Sequence, residues 1–264
     1  MGWKPPERFS VKALDGQTDL YGLLFKPASF NTSKKYPIVE TVYPGPWTIV
    51  TAKSFPVDMA WINKIFWRAQ AVAELGFIVI TLDGAGTPFR SKAFHDDSYG
   101  HLGDAGGLND HIKAIKELSE DRPYMDLDRV GMFGHSAGGF MTAQALLNYP
   151  DFYNAGVASA GDYDSRFYGA FWGEKYEGLN ASDYAEQITA LKAGNLKGKL
   201  LLVAGDVDDN VHPCMTMQLV EAFINADRPF DLLIMPNRNH DLSYDLYYLH
   251  RLFGYLEENL GQVY

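Results

Sequence analysis

A single cysteine in 264 residues, Cys214, leaves nothing for an internal disulfide to join, so packing must hold the fold and the redox compartment stays open. Next to Pro213 it reads as a small helix residue. Basic residues are few as well: 23 Lys and Arg against 33 Asp and Glu give a formal charge of −10. With no basic cluster interleaved with aromatics, nucleic acid is not an expected partner. No apolar run is long enough to span a membrane, and Met1-Gly2-Trp3-Lys4-Pro5-Pro6 lacks the apolar core of a signal peptide. Pro6 also stands where a myristoylation signal needs Ser or Thr, so this opening is expected to be a cloning junction rather than an address. Metal-ligand spacing is missing too. His95 and His101 flank an acidic stretch and are expected to be solvated loop residues, while Asp206-x-Asp208-Asp209-Asn210 lacks the glycine and glutamate of a calcium loop. No metal and no cofactor is expected.

Apolar material, by contrast, is ample. With 47% hydrophobic and 14% aromatic residues the chain can bury a full core, and one domain over residues 1–264 is expected. Phe9 to Leu14 and Leu20 to Phe25 alternate about Asp15-Gly16 and predict a short N-terminal hairpin. Brief, mostly apolar runs follow at Ile38 to Val42, Phe77 to Leu82, Val130 to Phe133, Ala155 to Ala160, Leu200 to Ala204 and Leu232 to Met235. Helical stripes lie between them: Trp61, Ile65, Ala69 and Val72; Ile112, Ile115 and Leu118; Met215, Leu219 and Phe223; Leu249, Leu252, Phe253 and Leu256. Such alternation predicts an α/β fold with a mostly parallel central sheet covered by helices on both faces. Between Gly161 and Lys199 runs an aromatic-rich excursion, with a helix predicted from Ser182 to Ala193, where a lid or pocket wall would sit. The chain shows no internal repeat.

Gly131-Met-Phe-Gly-His-Ser136-Ala-Gly-Gly139 ends one of those strands with a glycine-flanked serine and starts a helix that stops before Pro150. This is the form of a nucleophile elbow: Ser136 sits in a strained strand-to-helix turn, where side chains at Gly134, Gly138 or Gly139 would strike backbone. The helix N-terminus behind it favours a developing oxyanion. A serine so placed needs a histidine base and a carboxylate, in the order Ser, Asp, His for this fold class. Two later strand ends supply them. One runs into Gly205-Asp206-Val207-Asp208-Asp209-Asn210-Val211-His212, the next into Pro236-Asn237-Arg238-Asn239-His240. In an open parallel sheet all three loops meet beyond the carboxyl ends of the strands. His240 is the expected base, since His212 precedes a proline at a helix start and His250 falls among apolar helical residues. Asp206, Asp208 and Asp209 compete for the acid; Asp206, nearest the strand end, is suited to fixing the loop, and spacing leans to Asp208.

Gly-His-Ser136-Ala-Gly-Gly, Asp206-Val-Asp208-Asp209-Asn210-Val211-His212 and Asn239-His240 together resemble the catalytic domain of the prolyl oligopeptidase family, in its dipeptidyl peptidase IV-like branch. Lys35-Tyr36-Pro37-Ile38 leading to Val42-Tyr43-Pro44-Gly45-Pro46 agrees, as does Thr81-Leu82-Asp83-Gly84-Ala85-Gly86-Thr87-Pro88. The likeness runs in order through nearly the whole chain. It implies an α/β-hydrolase fold and an acyl-enzyme serine peptidase cleaving after Pro or Ala, with Ser136 as nucleophile, Asp208 as acid and His240 as base. It implies further that Tyr43 and the backbone N–H of Ala137 form the oxyanion hole, that Asn210 holds a substrate carbonyl, and that Tyr168, Trp172 and Val211 line a proline pocket. Trp172 stands where tyrosine is usual, and a flat aromatic wall suits a proline ring or an aromatic acyl group. A carboxylesterase on the same triad is therefore the alternative, and the expected substrate is a small peptide or an ester.

The chain departs from the family in two places. The N-terminal β-propeller, which in the dipeptidyl peptidases supplies paired glutamates for the substrate's amino terminus, is absent, so an excised catalytic domain or a stand-alone relative is expected. Ala85 replaces the arginine usual in an Asp-Gly-Arg-Gly motif. A complete triad with Tyr43 argues against a catalytically silent interaction module. A homo-oligomer, and a secreted or periplasmic parent, are compatible with the sequence.

Overall fold

The computed structural model describes residues 2–56, 61–104 and 106–261. Met1, and the side chain of Trp61 from the first helical stripe, lie outside the described residues. The strands are β1 (Glu7–Lys12), β2 (Asp19–Phe25), β3 (Tyr36–Val42), β4 (Ile78–Asp83), β5 (Met125–His135), β6 (Ala155–Ser159), β7 (Lys199–Gly205) and β8 (Asp231–Met235). Among the described residues they form one 8-stranded sheet in the order β1-β2-β4-β3-β5-β6-β7-β8. The expected hairpin is β1 with β2, and β2 runs antiparallel to β4. From β4 onward every neighbouring pair is parallel.

The helices are α1 (Trp61–Glu74), α2 (Lys92–Asp96), α3 (Leu108–Glu120), α4 (Ala137–Asn148), α5 (Ala170–Tyr176), α6 (Ala181–Glu186), α7 (Cys214–Asn225) and α8 (Leu246–Leu260). Strand residues alternate between two apolar layers, as a sheet buried on both faces requires. Ile78 and Ile80 of β4, with Leu200 and Leu202 of β7, face Ile115, Leu146, Leu219 and Phe223 of α3, α4 and α7. Val79, Leu201 and Val203 face Phe66, Val72, Leu252 and Leu256 of α1 and α8 on the other side. Truncating one of these large side chains to alanine costs about 2–5 kcal/mol, since the surroundings close the hole only in part.

Two expectations are corrected. β5 is longer than Val130 to Phe133, because its polar start pairs with β3: Pro37 lies opposite Asp126 but Ile38 opposite Val130, so Leu127, Asp128 and Arg129 bulge from the ladder. The single helix predicted from Ser182 to Ala193 is instead α6, an extended Ile188 and a 3-10 segment, Thr189–Asn195. The break follows from burial. Gln187 and Thr189 are 1% and 0% exposed, and they turn inward onto the hydroxyl of Ser165 and the amide of Gln144.

The sheet order also positions the site. From β3 the chain goes through α1 to β4 on one side and returns through α3 to β5 on the other, which opens a crevice at the carboxyl ends of β3 and β5. Tyr43 follows β3 and Ser136 follows β5.

Candidate active site

Ser136 has φ 60° and ψ −122°, outside the regions an L-residue adopts without strain. Its surroundings hold it there. The Ser136 N–H donates to Ser159 O at 2.8 Å, and Ser136 O accepts from the Phe140 N–H at 3.0 Å to start α4. A Cβ on Gly134 would lie 2.4 Å from Gly138 backbone, and one on Gly138 would lie 2.2 Å from Val42 O. The elbow therefore admits only glycine at both places. Ala137 is the first residue of α4, so its N–H precedes the helical hydrogen-bond ladder and is available to an anion.

Tyr43 reaches Ser136 from the other side of the crevice, its side chain hydrogen-bonded to that of the serine. Burial is the main force on the phenol and pushes its pKa up to about 12, with the serine hydrogen bond working against it and Tyr168 with it. The group is a permanent O–H donor at neutral pH. Its loop is tied down by Asp83, whose Oδ1 accepts from the Val50 N–H at 2.6 Å, and by His95, whose Nε2 lies 2.9 Å from Pro46 O. His95 is thus no solvated loop residue: it is half-buried in α2 and supports the Tyr43 loop. His101 is exposed, as expected, and lines the cavity beside Ser136.

The three competing aspartates separate cleanly. Asp208 is 4% exposed; its Oδ2 lies 2.9 Å from His240 Nδ1, and its Oδ1 accepts from the N–H groups of Asn210 and Val211 at 3.0 and 2.8 Å. Asp206 is exposed and accepts from the Asn237 N–H at 2.6 Å, tying the acid loop to the histidine loop. Asp209 is exposed. His212 bonds only locally, its Nδ1 accepting from the Cys214 N–H, and His250 lies exposed on α8.

Val211 is buried and lines the cavity with Tyr168 and Trp172. Tyr168 donates its hydroxyl to Asn210 Oδ1 at 2.6 Å, so the Asn210 amide hydrogens take no part in this bond. Trp172 packs against Tyr168 and Tyr176, with ring centroids 6.3 and 4.7 Å apart. The cleft that Val211, Tyr168 and Trp172 share with Ser136, Ala137 and Tyr43 spans about 770 Å³, open solvent at its mouth included.

One residue of the elbow itself carried no expectation. His135 is 5% exposed, with its ring 4.7 Å from that of His240. Its Nδ1 lies 3.1 Å from Ser159 Oγ, which also reaches Gly134 O and the Tyr248 hydroxyl, and it is hydrogen-bonded to the His240 backbone. Burial above all, then the charges of His240 and Arg68, hold it well below the ordinary histidine range. A neutral ring therefore supports His240 from beneath. The Gly-His-Ser triplet was the visible signal, but its partners lie far along the chain.

A family model described as the prolyl oligopeptidase family matches residues 63–263. Dipeptidyl peptidase 8 of Mus musculus is 32% identical over 98% of this chain and 29% of its own length. Prolyl endopeptidase FAP of Mus musculus is 27% identical over 88% of the chain and 30% of its own. Among solved structures, Porphyromonas gingivalis dipeptidyl peptidase 4 matches with a TM-score of 0.84 at 31% identity, over 97% of this chain and 36% of that one. The chain spans about a third of the length of these relatives.

Proposed function

The chain belongs to the prolyl oligopeptidase family, and from that premise we propose that residues 1–264 are a serine peptidase domain that cleaves short peptides after Pro or Ala through an acyl-enzyme on Ser136. The observations that carry this reading are the Asp208–His240 hydrogen bond at 2.9 Å, the His240 ring 4.7 Å from that of His135, which precedes the serine in the chain, and a strained Ser136 that Tyr43 contacts. His240 Nε2 takes the Ser136 hydroxyl proton while Oγ attacks the carbonyl carbon. Asp208 keeps the Nδ1–H tautomer and balances the imidazolium that forms. The tetrahedral oxyanion accepts from the Tyr43 O–H and the Ala137 N–H. It then collapses, the C–N bond breaks, and His240 returns the proton to the leaving amine. Water repeats the cycle on the ester to free the acid.

Tyr168, Trp172 and Val211 offer the flat apolar wall a proline ring needs, and Asn210 the donor for the preceding carbonyl. The relatives are named as peptidases, which favours amide over ester hydrolysis. No helix among the described residues is long and apolar enough to cross a membrane. The test is a paired assay on a glycyl-prolyl arylamide and a short-chain aryl ester, with Ser136→Ala as control. Serine-dependent release of the arylamine is expected. Ester hydrolysis alone would return the reading to a carboxylesterase.

A further inference from the structure

His240 opens a short 3-10 segment, His240–Tyr244, whose helical geometry breaks at Asp241. The segment's own backbone therefore does not fix the base, and the loop must be held from outside. On the near side it is tied to the acid loop: the Val207 N–H donates to Arg238 O and the Asn237 N–H to Asp206 Oδ1. The far side is held differently. Leu242 is 2% exposed in the apolar layer that contains Phe66 of α1. An ion pair of 2.7 Å between Arg238 and Asp245 also closes the loop, but it lies at the surface, where such pairs contribute little.

Tyr244 makes a contact of another kind. The Lys64 ammonium lies 3.8 Å from the centroid of its ring, and the Arg68 guanidinium carbon 5.8 Å from it. One helical turn apart on α1, both cations share a face and repel, an arrangement that destabilises a helix unless a neighbour offers negative charge. The face of an aromatic ring does so. Among the described residues no carboxylate pairs with Lys64 and the Tyr244 hydroxyl has no hydrogen bond, so the ring face is what Tyr244 brings to the contact. The same face of α1 reaches the rest of the catalytic support. Lys64, Arg68 and Tyr244 line a small cavity together with Tyr43 and His135, and the Arg68 charge acts on the His135 ring beneath His240. We propose that Tyr244, seated on Lys64 and Arg68, is a positioning residue for His240, an inference that rests on the acyl-enzyme reading above. Through this clamp α1 fixes the far half of the histidine loop, and with it the approach of the base to the Ser136 hydroxyl.

The test uses Tyr244→Phe, which keeps the ring, Tyr244→Leu, which removes it, Lys64→Met, which removes the charge at similar length, and the Lys64→Met/Tyr244→Leu double variant. Active enzyme is counted from the endpoint of fluorophosphonate labelling, so that loss of folded protein is not read as loss of rate. Per active site, kcat on a glycyl-prolyl arylamide is expected to fall about five- to tenfold in Tyr244→Leu and in Lys64→Met, with KM within about twofold, because a misplaced base slows the reaction without weakening binding. Tyr244→Phe should stay within about twofold of the wild type, and the double variant should lose no more than the larger single loss, as the two ends of one contact do. A kcat per active site that survives Tyr244→Leu, a Tyr244→Phe as slow as Tyr244→Leu, or losses that multiply in the double variant overturns the clamp. Should no arylamide be cleaved, the peptidase reading fails separately, and the rate of fluorophosphonate labelling serves instead, since attack by Ser136 needs His240 but no peptide pocket. Slower labelling of Tyr244→Leu than of Tyr244→Phe supports the positioning role, and equal rates overturn it.

Discussion

Asp208 and Asp162 are both buried carboxylates within electrostatic reach of Tyr168, and their surroundings are opposite. Asp208 has a donor for each oxygen: His240 for one, the backbone of Asn210 and Val211 for the other. Asp162 accepts from the Ser165 hydroxyl and the Asp164 N–H, and has the like charge of Asp164 beside it. Around Ser136 the same contrast holds on a larger scale. The elbow, Tyr43 and His240 are each held by neighbours, whereas the wall drawn from the excursion between β6 and β7 is tied through a single hydroxyl, Ser165 Oγ, that bridges Asp162 and Gln187. Groups that stabilise a transition state act best when they need no reorganisation, so the fold completes them in advance. A buried carboxylate without an opposite charge instead carries a cost in stability.

The strongest way to break this contrast is to remove the preorganisation. Asp208→Asn is expected to lower kcat by about 10⁴, because the amide selects the wrong tautomer of His240. Asp209→Asn, on an exposed neighbour, should leave the rate within a small factor. A larger loss at Asp209 would shift the acid by one residue. Next in size is Tyr43→Phe, which removes one oxyanion donor and is expected to cost about 10²–10³ in kcat with little change in KM. The sign of its pH dependence follows from burial. With the phenol raised to about 12, the donor is retained well past pH 10 and lost only as pH nears that value. The ratio of wild-type to Tyr43→Phe rates should therefore be flat from neutral pH to about 10; a fall centred near 10 would contradict the buried donor.

His135 tests whether support extends one residue further. His135→Phe keeps a flat ring under His240 and removes the hydrogen bonds to Ser159 and the His240 backbone, so kcat should drop about tenfold while KM holds. The folded ring binds its proton less tightly than an unfolded one. Its contribution to stability is thus complete above about pH 6.5 and lost as pH falls below that. In the variant, Tm measured against pH should decline less between about 6.5 and 5. An unaltered slope would place the acid sensitivity elsewhere.

How much of this was legible depends on distance along the chain. Ser136, the triad order and the parallel sheet could be read because each rests on a local pattern, a glycine-flanked turn or an apolar run at a strand end. The choice among Asp206, Asp208 and Asp209 needed the fold, since only burial and the reach of His240 from 32 residues away separate them. The helix expected from Ser182 to Ala193 failed for the same reason: Gln187 answers to Ser165, 22 residues back, and Thr189 to Gln144, 45 residues back. His135 was visible as a letter but not as a support, and the acids of the cavity had no pattern at all. Asp97 and Asp104 come from the connection between β4 and α3 and Asp162 from the excursion after β6, two segments that only the sheet brings together.

The smallest effect bears most directly on the opening contrast. Burial, with the nearby charge of Asp164, raises the pKa of Asp162 to about 6, against the hydrogen bonds from the Ser165 hydroxyl and the Asp164 N–H. A carboxyl that holds its proton more tightly when folded favours the folded state at low pH, and that advantage is lost as pH rises through about 6. At neutral pH the chain therefore carries the cost of an ionised, buried Asp162. Asp162→Asn should raise Tm by about 2–4 °C at pH 7.5, the shift that about 1 kcal/mol produces in a domain of this size, and the gain should shrink below pH 6. Calorimetry across that range decides it. If Asn instead lowers Tm at pH 7.5, Asp162 is as well satisfied as Asp208, and the wall is not the less complete side of the cleft.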